Sequence, residues 1–308
     1  MNFKKLVKLP GDASHRKFFR DKKNQFIVVY SKKEKQKNLL IYSAINNLLR
    51  TYKIYTPKLI RENYKENYII IEDLGNLTGR KKFKKFRFIN YLKLFKLLDK
   101  LKSIKKKKIS TFNKKYIIPN YTKNELLKEA KMFSEWYILK NKFRSGNKIS
   151  KFYIQIVKKL ISGLKLKKRI FVHRDFHISN IMIKEDNLYL IDTQDAVYGN
   201  QAYDLASLID DVRIKVSFKK REMLFNKYVC TQKKVNALNL RHDFEVLSIL
   251  RNFKIIGIFT RLSKRDKKHQ YLKMIPYAWK MIDQRRKNKQ HLKDLNSFID
   301  LYFPKKKR

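Results

Sequence analysis

Phe171-Val172-His173-Arg174-Asp175-Phe176-His177-Ile178-Ser179-Asn180-Ile181-Met182-Ile183, followed by Leu190-Ile191-Asp192, decides how the rest of the chain is read. Its apolar runs predict short strands at Arg169 to Val172, Ile181 to Lys184 and Leu188 to Ile191, a compact β island with the tight turn Glu185-Asp186-Asn187 joining the last two. A polar loop lies between the first two strands. Asp175 stands just past the first strand, Asn180 five residues on, and Asp192 just past the hairpin. A strand, a loop and a hairpin thus deliver three oxygen-bearing side chains to one neighbourhood.

Carboxylate and amide oxygens suit a hard cation such as Mg²⁺, which binds through one or two carboxylates plus the phosphates of its nucleotide. Transfer of a phosphoryl group spreads negative charge over its oxygens, and a positioned Asp accepts the proton of the attacking hydroxyl. The spacing resembles that of protein-kinase-like phosphotransferases, and on that resemblance Asp175 is the base, Asn180 and Asp192 hold the metal, and ATP and Mg²⁺ are the cofactors. A positioned base gives typically about 10²–10⁴-fold, roughly 3–5 kcal/mol of barrier. Taken singly, Asp and Asn in loops merely cap turns. The strand before the loop, the spacing, the His173-Arg174 pair and the apolar hairpin before Asp192 together point to chemistry. His173, Arg174 and His177 read as supports of the loop, and zinc is excluded for want of soft ligands.

Working outward, the segment before residue 75 reads as strands around one helix. Strands are predicted at Lys17 to Arg20, Gln25 to Ser31, Lys58 to Arg61 and Tyr68 to Asp73. A helix runs from Lys33 to about Arg50, with Ile41, Ile45, Leu48 and Leu49 on one face. Beyond Gly75 the pattern changes to helices at about 86–103, 122–141 and 149–164, and again at about 201–215, 218–229, 242–263, 268–284 and 290–302. The predicted class is α+β in two domains: 1–75 as a small β-rich nucleotide-binding lobe, and 76–308 as a larger, mostly helical lobe with the catalytic loop and acceptor pocket. A chain of 308 residues suits two such bodies, since single cores stop growing at roughly 250–300 residues.

The formal net charge of +50 would suit a nucleic-acid partner. The excess Lys, however, accompanies abundant Ile, Asn, Tyr and Phe with only 7 Gly and 5 Pro, the bias of an AT-rich genome. The lysines are scattered, and no block alternates them with aromatics as a base-stacking surface would. They read as solvated faces, and nucleic acid is not expected as a partner. The lone cysteine, Cys230, cannot form an internal disulfide and reads as a small buried hydrophobe. Met1 to Pro10 lacks the apolar stretch of a signal peptide, and no run approaches the roughly 20 apolar residues of a membrane span. A cytoplasmic protein is expected.

The loop motif resembles that of the aminoglycoside-phosphotransferase and choline-kinase superfamily, His-x-Asp-x-x-x-x-Asn with a later Asp after an apolar strand. Leu9 to Arg20, Ile191 to Gly199, Ala202 to Leu208 and Arg251 to Phe259 are similar to one subgroup, the bacterial N-acetylmuramate/N-acetylglucosamine anomeric kinases. The resemblance runs from about residue 9 to about residue 280 and implies a bilobal, protein-kinase-like fold. It implies a cell-wall recycling kinase that phosphorylates the C1 hydroxyl of a small-molecule sugar acceptor, its product passing to a sugar-1-phosphate uridylyltransferase. It also implies that the loop from Gly11 to Arg16 covers the ATP phosphates, with Ser14 offering its amide and hydroxyl, and that Glu72-Asp73-Leu74 is the hinge whose backbone meets adenine. One departure is plain: no Lys lies centrally in Gln25 to Ser31, so Arg16 or Lys32 is the candidate for the missing positive charge. Tyr203, Asp204 and Arg251 are the acceptor-side candidates, with Asp204 alternatively a helix-start residue. The other readings are a kinase of another acceptor (homoserine, choline or an aminoglycoside) and a basic nucleic-acid-binding or pseudokinase-like module.

Overall fold

A computed structural model describes residues 6–9, 16–21, 23, 25–83, 87–112, 114–141, 143–232 and 235–308. The β-branched run Ile27-Val28-Val29 is almost wholly buried, and this dictates what surrounds it. It forms the centre of β3 (Phe26–Tyr30) in an antiparallel sheet with β1 (Val7–Leu9), β2 (Lys17–Asp21), β4 (Leu59–Asn63) and β5 (Tyr68–Glu72), in the order β1-β2-β3-β5-β4. Ile27, Val28 and Val29 lie opposite Ile71, Ile70 and Ile69. Alternation sends Ile27, Val29, Ile69 and Ile71 to one face, where they meet Leu39 and Tyr42 of α1 (Lys37–Thr51), and Val28 and Ile70 to the other. Burying such side chains contributes roughly 1.5–3 kcal/mol each.

By its contacts the chain divides into two units: Met1–Pro119 with Ile170–Tyr198, and Asn120–Arg169 with Gly199–Arg308. The first holds the sheet, α1, α2 (Gly79–Lys82), α3 (Phe88–Ser103) and a small hairpin of β6 (Lys108–Ser110) and β7 (Lys115–Ile117). It also holds the stretch that carries Asp175. The boundary read at Gly75 marks the change from strand to helix patterns; contacts divide the chain elsewhere because the Asp175 stretch is bonded back onto the segment before it. Leu190 N donates to Tyr55 O at 2.8 Å, Ile183 N to Leu77 O at 2.8 Å, and Thr193 Oγ1 to Asn46 Oδ1 at 2.7 Å.

The expected β island forms as two pairs rather than one sheet. β9 (Ile181–Lys184) and β10 (Asn187–Leu190) make the hairpin, while β8 (Arg169–Val172) pairs with β11 (Val197–Asn200), which the sequence reading missed. Glu185 and Asp186 both have positive φ, at 50° and 57°, which is the two-residue turn whose twist matches its strands.

The second unit is built on α8 (Ala237–Lys264), whose residues are buried almost all round. Against it lie α4 (Lys123–Met132), α5 (Gly146–Ser162), α6 (Ala202–Ile209) and α9 (Ile275–Arg286), followed by α10 (Lys293–Tyr302). The helix expected over 122–141 changes at Phe133–Leu139 to a wider π turn. Phe133 there meets the rings of Tyr137, Tyr153, Phe253, Trp279 and Phe303 at centroid distances of 4.6–5.7 Å. The helix expected over 201–215 stops at Ile209: Asp211 Oδ1 accepts from Arg213 N at 3.0 Å, a local turn that competes with helix. Cys230 is exposed, not buried, because it ends α7 (Phe218–Cys230) on the side away from Leu224, Phe225 and Tyr228. No helix among the described residues is long and apolar enough to cross a membrane.

Two glycines mark close approaches. A Cβ on Gly257 in α8 would stand 2.2 Å from Met132 O, and one on Gly79 would stand 2.6 Å from Ile178 O. Ala normally gains nearly 1 kcal/mol over Gly inside a helix. Gly257→Ala is expected to do the reverse and lower stability by about 1–3 kcal/mol, since the obstacle is backbone. A urea midpoint equal to or above wild type would refute this contact. Positive φ is mostly reached without glycine: besides Gly75, ten described residues other than glycine have it, among them Lys53, Asn67, Arg174, Asp192, Lys267 and Asn288.

Candidate active site

Asp175 lies three residues past the end of β8, and the loop after it is held by its own main chain. His177 N donates to Asp175 O at 2.9 Å, and Asn180 N to His177 O at 2.9 Å. The side-chain amide of Asn180 also donates to Asp175 O, at 3.0 Å. That bond fixes the carboxamide: its nitrogen is committed to the loop, and its oxygen is left as an acceptor. Arg174, with φ 74°, makes the sharp turn before Asp175, and its guanidinium reaches Asp195 O at 3.4 Å.

His173 joins this loop to the end of the hairpin. Its Nε2 lies 3.0 Å from Ile191 O. A carbonyl can only accept, so Nε2 carries the proton. Burial lowers the pKa of this ring, with Asp175, Asp192 and the Ile191 carbonyl opposing the shift, so His173 is a neutral brace. Ile191 N in turn donates to Asn180 O at 3.0 Å. Asp192 then takes a left-handed conformation, φ 64° and ψ 44°, which presents a carboxylate that is 39% exposed. Behind it, Thr193 is locked to Asn46 of α1.

Arg16, at the start of β2, is ion-paired to Asp192 Oδ1 although 176 residues separate them in sequence. Its guanidinium is 5% exposed and lies 5.6 Å from the Phe18 ring centroid and 5.2 Å from that of Tyr42. Burial of the Tyr42 hydroxyl raises its pKa, with Arg16 acting against the shift, so the ring stays neutral. Gln194 Nε2 donates to the same Asp192 oxygen at 3.2 Å. Ser14 lies outside the described residues.

At the other end of β5, Glu72 is paired with Lys184 Nζ at 2.7 Å, and Leu74 is buried. Arg20 staples the segment after Glu72. It pairs with Asp73 at 2.6 Å and donates to Asn76 Oδ1 at 2.7 Å and to Gly75 O at 2.9 Å. The sequence reading missed Arg20, whose only signal was a cation two residues from a turn on a strand edge.

The three acceptor-side candidates lie in the second unit, all of them buried. Tyr203 and Asp204 fall in the first turn of α6, which Asn200 caps through Ala202 N at 2.9 Å. Tyr203 hydroxyl donates to Glu129 Oε2 at 2.8 Å, and the same carboxylate takes Tyr121 hydroxyl and pairs with Lys254 at 3.0 Å. Burial, then Glu129, push the Tyr203 hydroxyl up to about 12 against the pull of Lys254 and Arg251. Glu129 and Lys254 were not picked out from sequence: Lys254 is one of 76 Lys and Arg residues, and Glu129 sits in an ordinary amphipathic pattern.

The donor set fits a hard cation, because Asn180 keeps its amide oxygen and Asp192 an exposed carboxylate. Asn180 and Asp192 would hold Mg²⁺, which when bound would offset the charge of nucleotide phosphates. This chain's own part is to fix the loop through the Asp175 carbonyl and to brace it with the His173 ring against Ile191 O.

The chain belongs to the phosphotransferase enzyme family, whose profile matches residues 5–229. Among curated proteins it is similar to the N-acetylmuramate/N-acetylglucosamine kinase of Pseudomonas aeruginosa, 24% identical over 96% of this chain and 87% of that one. The protein of the same name from Neisseria meningitidis is 25% identical over 86% and 81%. Among solved structures, an aminoglycoside phosphotransferase in complex with GDP and kanamycin aligns with a TM-score of 0.63 at 10% identity, covering 94% of this chain and 95% of that one. A choline kinase from Streptococcus pneumoniae aligns at 0.61 and 14%, covering 90% and 92%. The fold is therefore the expected α+β, protein-kinase-like one, with a five-stranded N-terminal sheet and a largely helical remainder.

Proposed function

We propose that this protein is an ATP-dependent kinase that phosphorylates an amino sugar, N-acetylmuramate or N-acetylglucosamine, at its C1 hydroxyl. The observation that carries this reading is the commitment of Asn180 Nδ2 to Asp175 O, which leaves one amide oxygen beside the loop while Asp192 offers its carboxylate. Asp175 accepts the hydroxyl proton, and Asn180 and Asp192 hold Mg²⁺. Residues 1–75 serve nucleotide binding, with Ser14 and Arg16 at the phosphates and the backbone of Glu72 to Leu74 at adenine. Residues 76–308 supply the loop and the acceptor pocket, to which Tyr203, Asp204 and Arg251 contribute. Two curated relatives carrying the name of an N-acetylmuramate/N-acetylglucosamine kinase support the acceptor, and the cation of Arg251 would suit the carboxylate of N-acetylmuramate. A sugar 1-phosphate made in the cytoplasm would suit a uridylyltransferase as the next enzyme.

A coupled turnover assay with Mg·ATP against N-acetylmuramate, N-acetylglucosamine, homoserine, choline and kanamycin tests the proposal. The expected product is an acid-labile sugar 1-phosphate. Asp192→Asn, which keeps an oxygen acceptor for the buried Arg16 guanidinium, is expected to lower turnover at least about 100-fold, and Asp192→Ala to do the same at an added cost in stability because it strands that guanidinium. Turnover on another acceptor alone would discard the sugar, and unchanged turnover in Asp192→Ala would discard the metal site.

A further inference from the structure

We propose that Arg16 makes metal binding and nucleotide binding depend on one another, an inference that rests on the kinase reading above. Its guanidinium is paired with Asp192 Oδ1, so a metal ion arriving alone at that carboxylate meets a fixed positive charge. A nucleotide arriving with the metal brings phosphates whose negative charge both cations can share. Arg16 then serves as a phosphate ligand, bonding through the planar fork that suits phosphate oxygens.

Three features of the molecule lead there. First, β3 carries no cation: its residues are Phe26, Ile27, Val28, Val29 and Tyr30, so the sheet offers the phosphates no charge from its central strand. Second, Arg16 is buried and held over the rings of Phe18 and Tyr42 with its charged end on Asp192, which marks it off from the solvated lysines that dominate the composition. Third, the carboxylate it neutralises is 39% exposed and also receives Gln194, yet both of these bonds fall on Oδ1. The second oxygen is left for a metal, so Arg16 opposes the ion by charge rather than by blocking its seat.

Coupling between two ligands is reciprocal, and typical coupling is about 5–150-fold. The experiment measures Mn²⁺ alone, ADP alone and the two together by calorimetry on the full chain, in wild type, Arg16→Ala and Arg16→Lys. In wild type, each ligand is expected to tighten the other at least about tenfold. In Arg16→Ala, Mn²⁺ alone should bind more tightly, ADP alone more weakly, and the mutual enhancement should collapse several-fold. Arg16→Lys, which keeps the charge and loses the fork, should keep most of the coupling, and it stands in should the alanine variant fail to fold. A merely structural Arg16 would weaken both ligands together or leave both unchanged, and either result overturns the proposal. Wild type that binds no Mn·ADP at all would instead overturn the kinase reading on which this one rests.

Discussion

Asp175→Asn is expected to lower turnover by about 10²–10⁴-fold while leaving nucleotide affinity and the melting temperature at their wild-type values. The change is isosteric and removes only the charge. The main chain of the loop is held by bonds that an asparagine keeps: they run to the backbone carbonyl of Asp175, from His177 N and Asn180 Nδ2, and from His173 to Ile191. An asparagine at 175 keeps the carbonyl and loses the acceptor for the hydroxyl proton. The loss should therefore fall on kcat, with KM for ATP nearly constant, as for an interaction made only in the transition state. Turnover within tenfold of wild type would remove Asp175 from the mechanism.

The largest effect on stability should come from a different aspartate, which ends the helix that carries Tyr203 and Asp204. Asp210 is fully buried and receives Arg285 through Nε and Nη2 at 2.7 and 2.9 Å, Arg221 at 3.2 Å, and Ser248 Oγ at 2.5 Å. Arg285 and Arg221 are themselves buried, and Glu222 completes the cluster by pairing with Arg285 and Arg241. Asp210→Ala would leave the buried guanidiniums undercompensated, at a cost of about 3–5 kcal/mol. The cluster also sets a pH dependence. Burial alone would raise the pKa of Asp210, but Arg285, Arg221 and Ser248 reverse the shift, so the folded value lies below 3.8. A depressed carboxylate contributes stability that is present above its unfolded pKa and disappears as pH falls through the folded one. Urea titrations at pH 7 and pH 3 should thus show Asp210→Asn losing far less on acidification than wild type does. Equal losses would show that the cluster does not govern acid unfolding.

The sequence carried much of this architecture because its strongest signals were local. The run Ile27-Val28-Val29 could only be a buried strand, and Ile181 to Ile183 with Leu188 to Leu190 could only be a hairpin once the four polar residues Lys184 to Asn187 separated them. The spacing of Asp175, Asn180 and Asp192 was likewise local, tied to that hairpin. What stayed hidden depends on pairs distant in sequence. Arg16 meets Asp192, Asn46 meets Thr193, and Tyr203 meets Glu129, at separations of 176, 147 and 74 residues. Nothing in the periodicity of either partner announces the other. Strand β11 was missed for a related reason: Val197-Tyr198-Gly199-Asn200 is short and becomes a strand only by pairing with β8. Cys230 was misplaced because its type predicts burial, whereas its position on α7 decides it.

The left-handed residues show where this chain needs glycine and where it does not. Glycine relieves two unlike difficulties, a conformational one at turns and a steric one where backbones touch. At Lys53, Lys267 and Asn288 only the first is present, and a side chain is carried there at a cost of about 1–2 kcal/mol, less for asparagine. At Gly79 and Gly257 the second is present, and the residue is glycine. Gly79 and Gly257 thus mark two incompressible contacts, whereas Gly75, at φ 75° with open space where a Cβ would stand, marks a turn, and Gly146 and Gly163 meet only ordinary contact distances.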